Sequence, residues 1–152
     1  MIEIRRGRRK DAPYIIDFQI RMAKDAEDLT LDRPTVEKGV QAVFDDPHKG
    51  AYWIAELDGE VVGCLLTVPE WSDWRNGTVL WIHSVYVIPS ARRRGVFRMM
   101  YKNLKTRVEQ SADLRGLRLY VERKNERAQK TYNAMGMDGN HYKMFEWMKE
   151  GW

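Results

Sequence analysis

Residues 79–98 read VLWIHSVYVIPSARRRGVFR, and the join inside this stretch decides how the rest of the chain is arranged. Ile82, Val85, Val87 and Ile88 are β-branched and mark a strand, which Pro89 ends because proline cannot continue a ladder. Phe97, Met100, Tyr101, Leu104 and Val108 then recur at helical spacing and form one apolar stripe. Between strand and helix stand Arg92, Arg93, Arg94 and Gly95. Three cations at a helix start oppose the positive end of its dipole, at about 0.3–1 kcal/mol each when exposed. A bound anion removes the conflict, because N–H groups at a helix N-terminus hold phosphate and Gly95 lets the backbone approach it. A solvated basic turn with a glycine for geometry accounts for the same residues. No Gly-Lys-Ser/Thr follows Gly95, so this is not a Walker-type loop.

The surrounding chain bounds the answer. Its 152 residues are the length of one domain, and 32% charged residues with many aromatics predict a folded globular chain. No apolar run reaches membrane-spanning length and no signal-peptide pattern opens the sequence, so no membrane partner is expected. The one cysteine, Cys64, excludes an internal disulfide framework and suits a reducing, cytoplasmic setting, as a small buried apolar residue. A net charge of +4 favours anionic ligands but is too small to argue for nucleic acid.

Outward from the central stretch, residues 2–5 alternate as a first strand, and Arg6 to Lys10 make a basic turn better read as solvated than as a nucleic-acid arm. Asp11 is placed to cap a helix with Pro13 just inside it and Tyr14, Ile15, Phe18 and Met22 on its apolar face. A second helix starts after Pro34 or Thr35 and stops at Asp45-Asp46-Pro47. Residues 51–57 and 60–68 flank Asp58-Gly59, a two-residue hairpin signal. Residues 69–75 form a loop, and Asn76-Gly77 is a second turn leading into the central strand at 78–88. The basic loop's helix should end near Ala112, followed by a strand at 117–121, a helix at 126–135 and a last strand at 141–147. The order β-α-α-β-β-β-α-β-α-β predicts one α/β domain over residues 1–152, with about four helices on a mixed, largely antiparallel sheet of six to seven strands. The helix after the central strand is long enough for a right-handed crossover to a parallel neighbour.

Residues 121–137, VERKNERAQKTYNAMGM, carry a second motif. Asn125 can cap the helix, Glu126 suits its first turn, Gly136 its C′ position, and Ala128 and Tyr132 share a face. A capped amphipathic helix with a packed tyrosine is the plain account. Yet a Val-x-Val-x-Pro strand with Arg92-Arg93-Arg94-Gly95-Val96-Phe97, then Asn125-x-x-Ala128-x-x-x-Tyr132-x-x-x-Gly136, resembles the two conserved blocks of the GNAT N-acetyltransferases. Arg92 and Gly95 match the Gln/Arg-x-x-Gly-x-Gly/Ala signature, while Phe97 departs from it.

The resemblance implies acetyl-CoA as acyl donor. Its contacts would be the strand backbone at Val85, Tyr86 and Val87, the loop from Arg92, Arg93, Arg94 and Gly95 through Val96, Phe97 and Arg98, and Asn125, Ala128 and Tyr132. It further implies that the two parallel strands splay to admit the pantetheine arm, that a backbone N–H near Val85 faces the oxyanion, and that Tyr132 protonates the departing thiolate. A primary amine must be neutral to attack, and such amines have pKa values of roughly 10, so a base is needed. Many family members keep a glutamate eleven residues before the Arg92 position, where this chain has Trp81. His83, on the same side as Trp81, is one candidate base; Glu70 and Asp73 are the others. Trp71, Asp73, Trp74, Trp81 and the polar segment near Asp28 would line an acceptor pocket suited to a cationic amine through cation–π contact and charge pairing. With His48, His83 and His141 far apart in sequence, no metal site is expected. A homodimer is compatible with these features. Two further readings are a catalytically silent CoA-binding module and a basic nucleic-acid-binding protein.

Overall fold

The computed structural model describes residues 1–151, in two compact units that meet in sequence at Arg118 and Leu119. The first unit holds β1 (Ile2–Arg6), α1 (Ala12–Glu27), α2 (Arg33–Asp45), β2 (Ala51–Leu57), β3 (Glu60–Ser72), β4 (Gly77–Val87), α3 (Val96–Gln110) and β5 (Leu114–Arg118). The second holds α4 (Glu126–Ala134).

The sheet runs in chain order, β1-β2-β3-β4-β5, with antiparallel pairing except between β4 and β5, which are parallel and joined by α3. Asp58 and Gly59 both take positive φ (51° and 87°), the geometry of the tight turn read from their dipeptide. The second turn differs from the expectation. β3 continues through Pro69, Glu70, Trp71 and Ser72, and four residues ending in Asn76 (φ 46°) make the connection to Gly77. The last β2–β3 rung is Ala51–Thr67, so at Pro69 β3 is laddered on one side only, and Pro69 faces Leu80 within the β3–β4 pairing.

Strand alternation splits the core in two. Tyr52, Ile54, Cys64 and Tyr86 face α1 and α2, against Ile15, Ile16, Phe18 and Val40. Trp53, Ala55 and Leu65 point the other way and are buried too, on the side where Val96, Met100 and Leu104 give α3 its buried stripe. Cys64 is fully buried, and burial pushes its thiol up to about 12, which makes it inert.

Helix ends follow local chemistry with one correction. Asp32 caps α2, accepting from the Thr35 N–H at 3.1 Å, and Asn125 caps α4 through the Ala128 N–H at 3.1 Å. At the end of α4, Gly136 (φ 88°) donates to Asn133 and Met137 to Tyr132, closing the last carbonyls in a Schellman arrangement. Asp11 precedes α1 but makes no side-chain cap; its carboxylate is taken by the Arg8 N–H (2.7 Å) and by Arg5 (2.8 and 2.9 Å). The guanidinium outbids the helix because a charge-assisted, two-pronged contact is the stronger one.

Two strand expectations are corrected. The strand expected at 117–121 lies at Leu114–Arg118, and residues 141–147 form none among the described residues, so the sheet has five strands rather than six to seven. Apolar, β-prone side chains mark an extended segment, but only a ladder makes it a strand, and residues 141–147 have no ladder partner.

Candidate active site

The site is built around the C-terminal half of β4. Leu66 of β3 pairs with His83 and Cys64 with Tyr86, so β4 carries one extra residue, a β-bulge, with Ser84 at φ 54°. On its other edge, β4 pairs with β5 only as far as Trp81–Arg118. From Ile82 to Val87 the strand runs on past the last β5 rung.

The chain then turns through residues 89–91. The basic loop does not lie inside the helix as expected: Arg92 is extended, Arg93 (φ 63°) and Gly95 (φ 80°) are left-handed, and α3 begins at Val96 with Gly95 as its N-cap. The three arginines thus escape the first turn, whose N–H groups, by helix geometry, have no partner within the helix. Residues of alternating hand beside such an end form an anion-binding concavity. A Cβ at Gly95 would meet nothing within 4 Å, so its backbone faces open space. The residues therefore fit a phosphate-bearing group. Arg92 folds back instead: its Nε donates to the Val87 carbonyl at 2.8 Å and its guanidinium lies 5.5 Å from the Tyr86 ring centre.

Trp81 and His83 share the α1–α2 face of the sheet, ring planes within 5° and centres 6.1 Å apart. Burial lowers the pKa of His83, so its neutral, proton-accepting form prevails at neutral pH. Glu70, on β3 rather than in a loop, accepts from Arg118 Nη1 at 2.7 Å across β4. Its carboxylate already has a guanidinium partner. Trp71 and Trp74 are 65% and 89% exposed, and with Asp73 they sit at the β3–β4 turn. Trp71 pairs with Thr78, six residues from Ser84, or about 20 Å along the strand. Of Trp71, Asp73, Trp74 and Trp81, only Trp81 lies near the bulge.

Sequence reading missed Asp25. A cleft of about 300 Å³ is lined by Met22, Asp25 and Ala26 of α1 and by Val85, Tyr86, Val87 and Arg92. Asp25 has no ion-pair partner among the described residues, so an unpaired carboxylate faces the bulged strand. Its position at the end of a helix face gave no motif; only the packing of α1 on β4 brings it there. Arg118 was missed for the same reason. In the second unit, Ala128 and Tyr132 are half-buried on one face of α4, and burial raises the Tyr132 pKa. No cluster of metal-ligating side chains occurs among the described residues.

A bulged strand that leads through a left-handed glycine into a helix N-terminus suits a phosphate-bearing ligand. The profile of the acetyltransferase (GNAT) family matches residues 18–137. A possible acetyltransferase from Clostridium difficile 630 shares 38% identity over 98% of both chains, with a TM-score of 0.91. A predicted acetyltransferase from Clostridium acetobutylicum, solved with acetyl-CoA, superposes with a TM-score of 0.74 at 16% identity over 96% of each chain. The enzyme AAC(6')-Iy, solved with the bisubstrate analogue CoA-S-monomethyl-acetylneamine, does so with a TM-score of 0.76 at 16% identity, over 98% of this chain and 99% of that one. Among curated protein sequences none matches. The chain belongs to the GNAT family of acetyltransferases.

Proposed function

We propose that the protein transfers the acetyl group of acetyl-CoA to a primary amine by direct attack, as one catalytic domain spanning residues 1–152. The observation that carries this reading is the edge of β4 from Ile82 to Val87, bulged at Ser84 and running past its β5 partner into the glycine-capped start of α3. Acetyl-CoA supplies an activated acetyl thioester. The loop from Arg92 to Arg98 holds its phosphates with main-chain donors and charge, and the backbone of Val85, Tyr86 and Val87 offers strand-like hydrogen bonds to its amide-bearing arm. Bound relatives of the fold support this, one with acetyl-CoA and one with a CoA conjugate of an amine.

On the chain's side, His83 accepts the amine proton, directly or through water, because burial keeps its imidazole neutral. Glu70, tied to Arg118, orients this wall rather than taking the proton. Asp25 attracts a cationic acceptor into the α1–β4 cleft, and Trp81, stacked beside His83, offers it a ring face. The bulge leaves a residue outside the ladder where the carbonyl oxygen gains charge. Tyr132, kept protonated by its raised pKa, gives a proton to the leaving thiolate. Trp71, Asp73 and Trp74 serve only an acceptor long enough to reach the β3–β4 turn.

The test is a thermal-shift measurement with acetyl-CoA, followed by thiol release across polyamines, aminoglycosides, amino acids and peptides. Stabilisation with amine-dependent thiol release is the expected result. Stabilisation with no thiol release on any amine would leave a CoA-binding protein without turnover. No stabilisation, with salt-sensitive binding to DNA or RNA, would move the function to nucleic acid.

A further inference from the structure

On the opposite face of the sheet, α3 and the strands line a second, open hollow of about 410 Å³. Leu80, Leu104 and Leu114 give it an apolar floor, and Arg6 and Arg107 stand at its rim. Arg107 is eleven residues beyond the start of α3, about 16 Å along the helix from the basic loop, so the hollow is separate from the site above.

Trp53 is the anchor of this hollow. It is 5% exposed, and its indole N–H donates to Thr67 Oγ1 at 3.1 Å, which fixes the ring. Arg6 lies 5.4 Å and Arg107 4.5 Å from the ring centre, so the two guanidiniums are no farther apart than the sum of those distances. Two like charges held on one ring repel, and among the described residues neither has a carboxylate within 4.0 Å. The contrast with the adjacent residue is direct: Arg5, on the other face of β1, is paired with both Asp11 and Glu56. Arg6 and Arg107 are both exposed, so a ligand entering the hollow can reach their guanidiniums, and beside the apolar floor these suit an anion that carries an apolar body.

We propose that this hollow binds a small amphipathic anion, a carboxylate or phosphate monoester with an apolar body, whose charge rests between Arg6 and Arg107 and whose body lies on the three leucines. Guanidinium forks match both anions in geometry, and a volume of about 410 Å³ falls within the range of small-molecule sites.

The experiment is isothermal titration calorimetry of the full chain with octanoate and with octyl phosphate, using octanol and octylammonium as the uncharged and charge-reversed probes. One or both anions should bind saturably at one per chain, the two arms showing which head group is preferred. Octanol and octylammonium should bind at least tenfold more weakly. The double variant Arg6→Gln/Arg107→Gln should lose at least tenfold in anion affinity while keeping its circular dichroism and melting temperature. Leu114→Phe, which fills the floor and leaves both arginines, should weaken binding as much; if the double variant fails to fold, this variant and Arg107→Gln alone decide. Equal binding of octanol, unchanged affinity in the variants, or no saturable heat at millimolar anion would overturn the proposal.

Discussion

The two edges of β4 are paired very differently. Its β3 edge is laddered from Ser72–Gly77 to Gly63–Val87, interrupted only by the bulge, whereas its β5 edge is laddered for four residues and then left. One edge has its backbone satisfied by the fold. The other reaches its last rung with β5 at Trp81–Arg118, and a strand edge past its last rung can serve as a template for a ligand that pairs with it. The difference shows how one strand can be a structural core and a binding surface at once.

Four experiments separate those two roles. On the satisfied side, Ile54 is fully buried against α1 and α2, and Ile54→Ala should cost about 2–5 kcal/mol of unfolding free energy. Urea denaturation measures it, and the affinity of the remaining folded protein for acetyl-CoA should be unchanged. On the open side, Gly95→Val forces a β-branched residue to φ 80°, a strain of about 1–3 kcal/mol, and should weaken acetyl-CoA binding about tenfold or more. An unaltered dissociation constant would show that the loop is not where the donor is held.

The third experiment uses pH. Because the His83 pKa is depressed, kcat/KM should stay level below the ordinary histidine value of about 6.5 and fall only at lower pH, as the ring gains its proton. The same sign holds for stability, since unfolding releases a histidine that binds a proton more readily, so stability falls as pH drops below that ordinary value. His83→Gln should remove this acid limb from the rate profile; an identical profile would exclude the histidine as base. The smallest effect is expected at the far end of the strand. Trp74→Ala and Asp73→Asn should leave the KM of a small amine within about twofold, about 20 Å from the bulge, and raise it only for an extended acceptor.

Much of this was legible in the sequence because it is locally encoded. Asp58-Gly59, Asn125 and Gly136 each set their own backbone geometry, and helical spacing alone found Met100 and Leu104 of the buried stripe, though the structure buries Val96 rather than the expected Phe97 beside them. What depends on pairing was not legible. Nothing in residues 141–147 shows whether a ladder partner exists, and nothing in Pro69 or Glu70 shows that β3 continues through them. The candidate site divides in the same way. The loop at Gly95 is announced by its motif, while Asp25 and Arg118 enter the site only through the packing of α1 on β4 and the reach of a side chain across it.

The Arg92 clasp on the Val87 carbonyl has a consequence for selectivity. A tethered donor competes with any ligand for that oxygen at a high local concentration, so a neutral amide alone gains little by docking there. A ligand with a diphosphate some distance from its amide can draw the guanidinium away and take the carbonyl it releases. On the reading proposed above, acetyl-CoA carries both groups, and the strand end would favour it over molecules that carry only one.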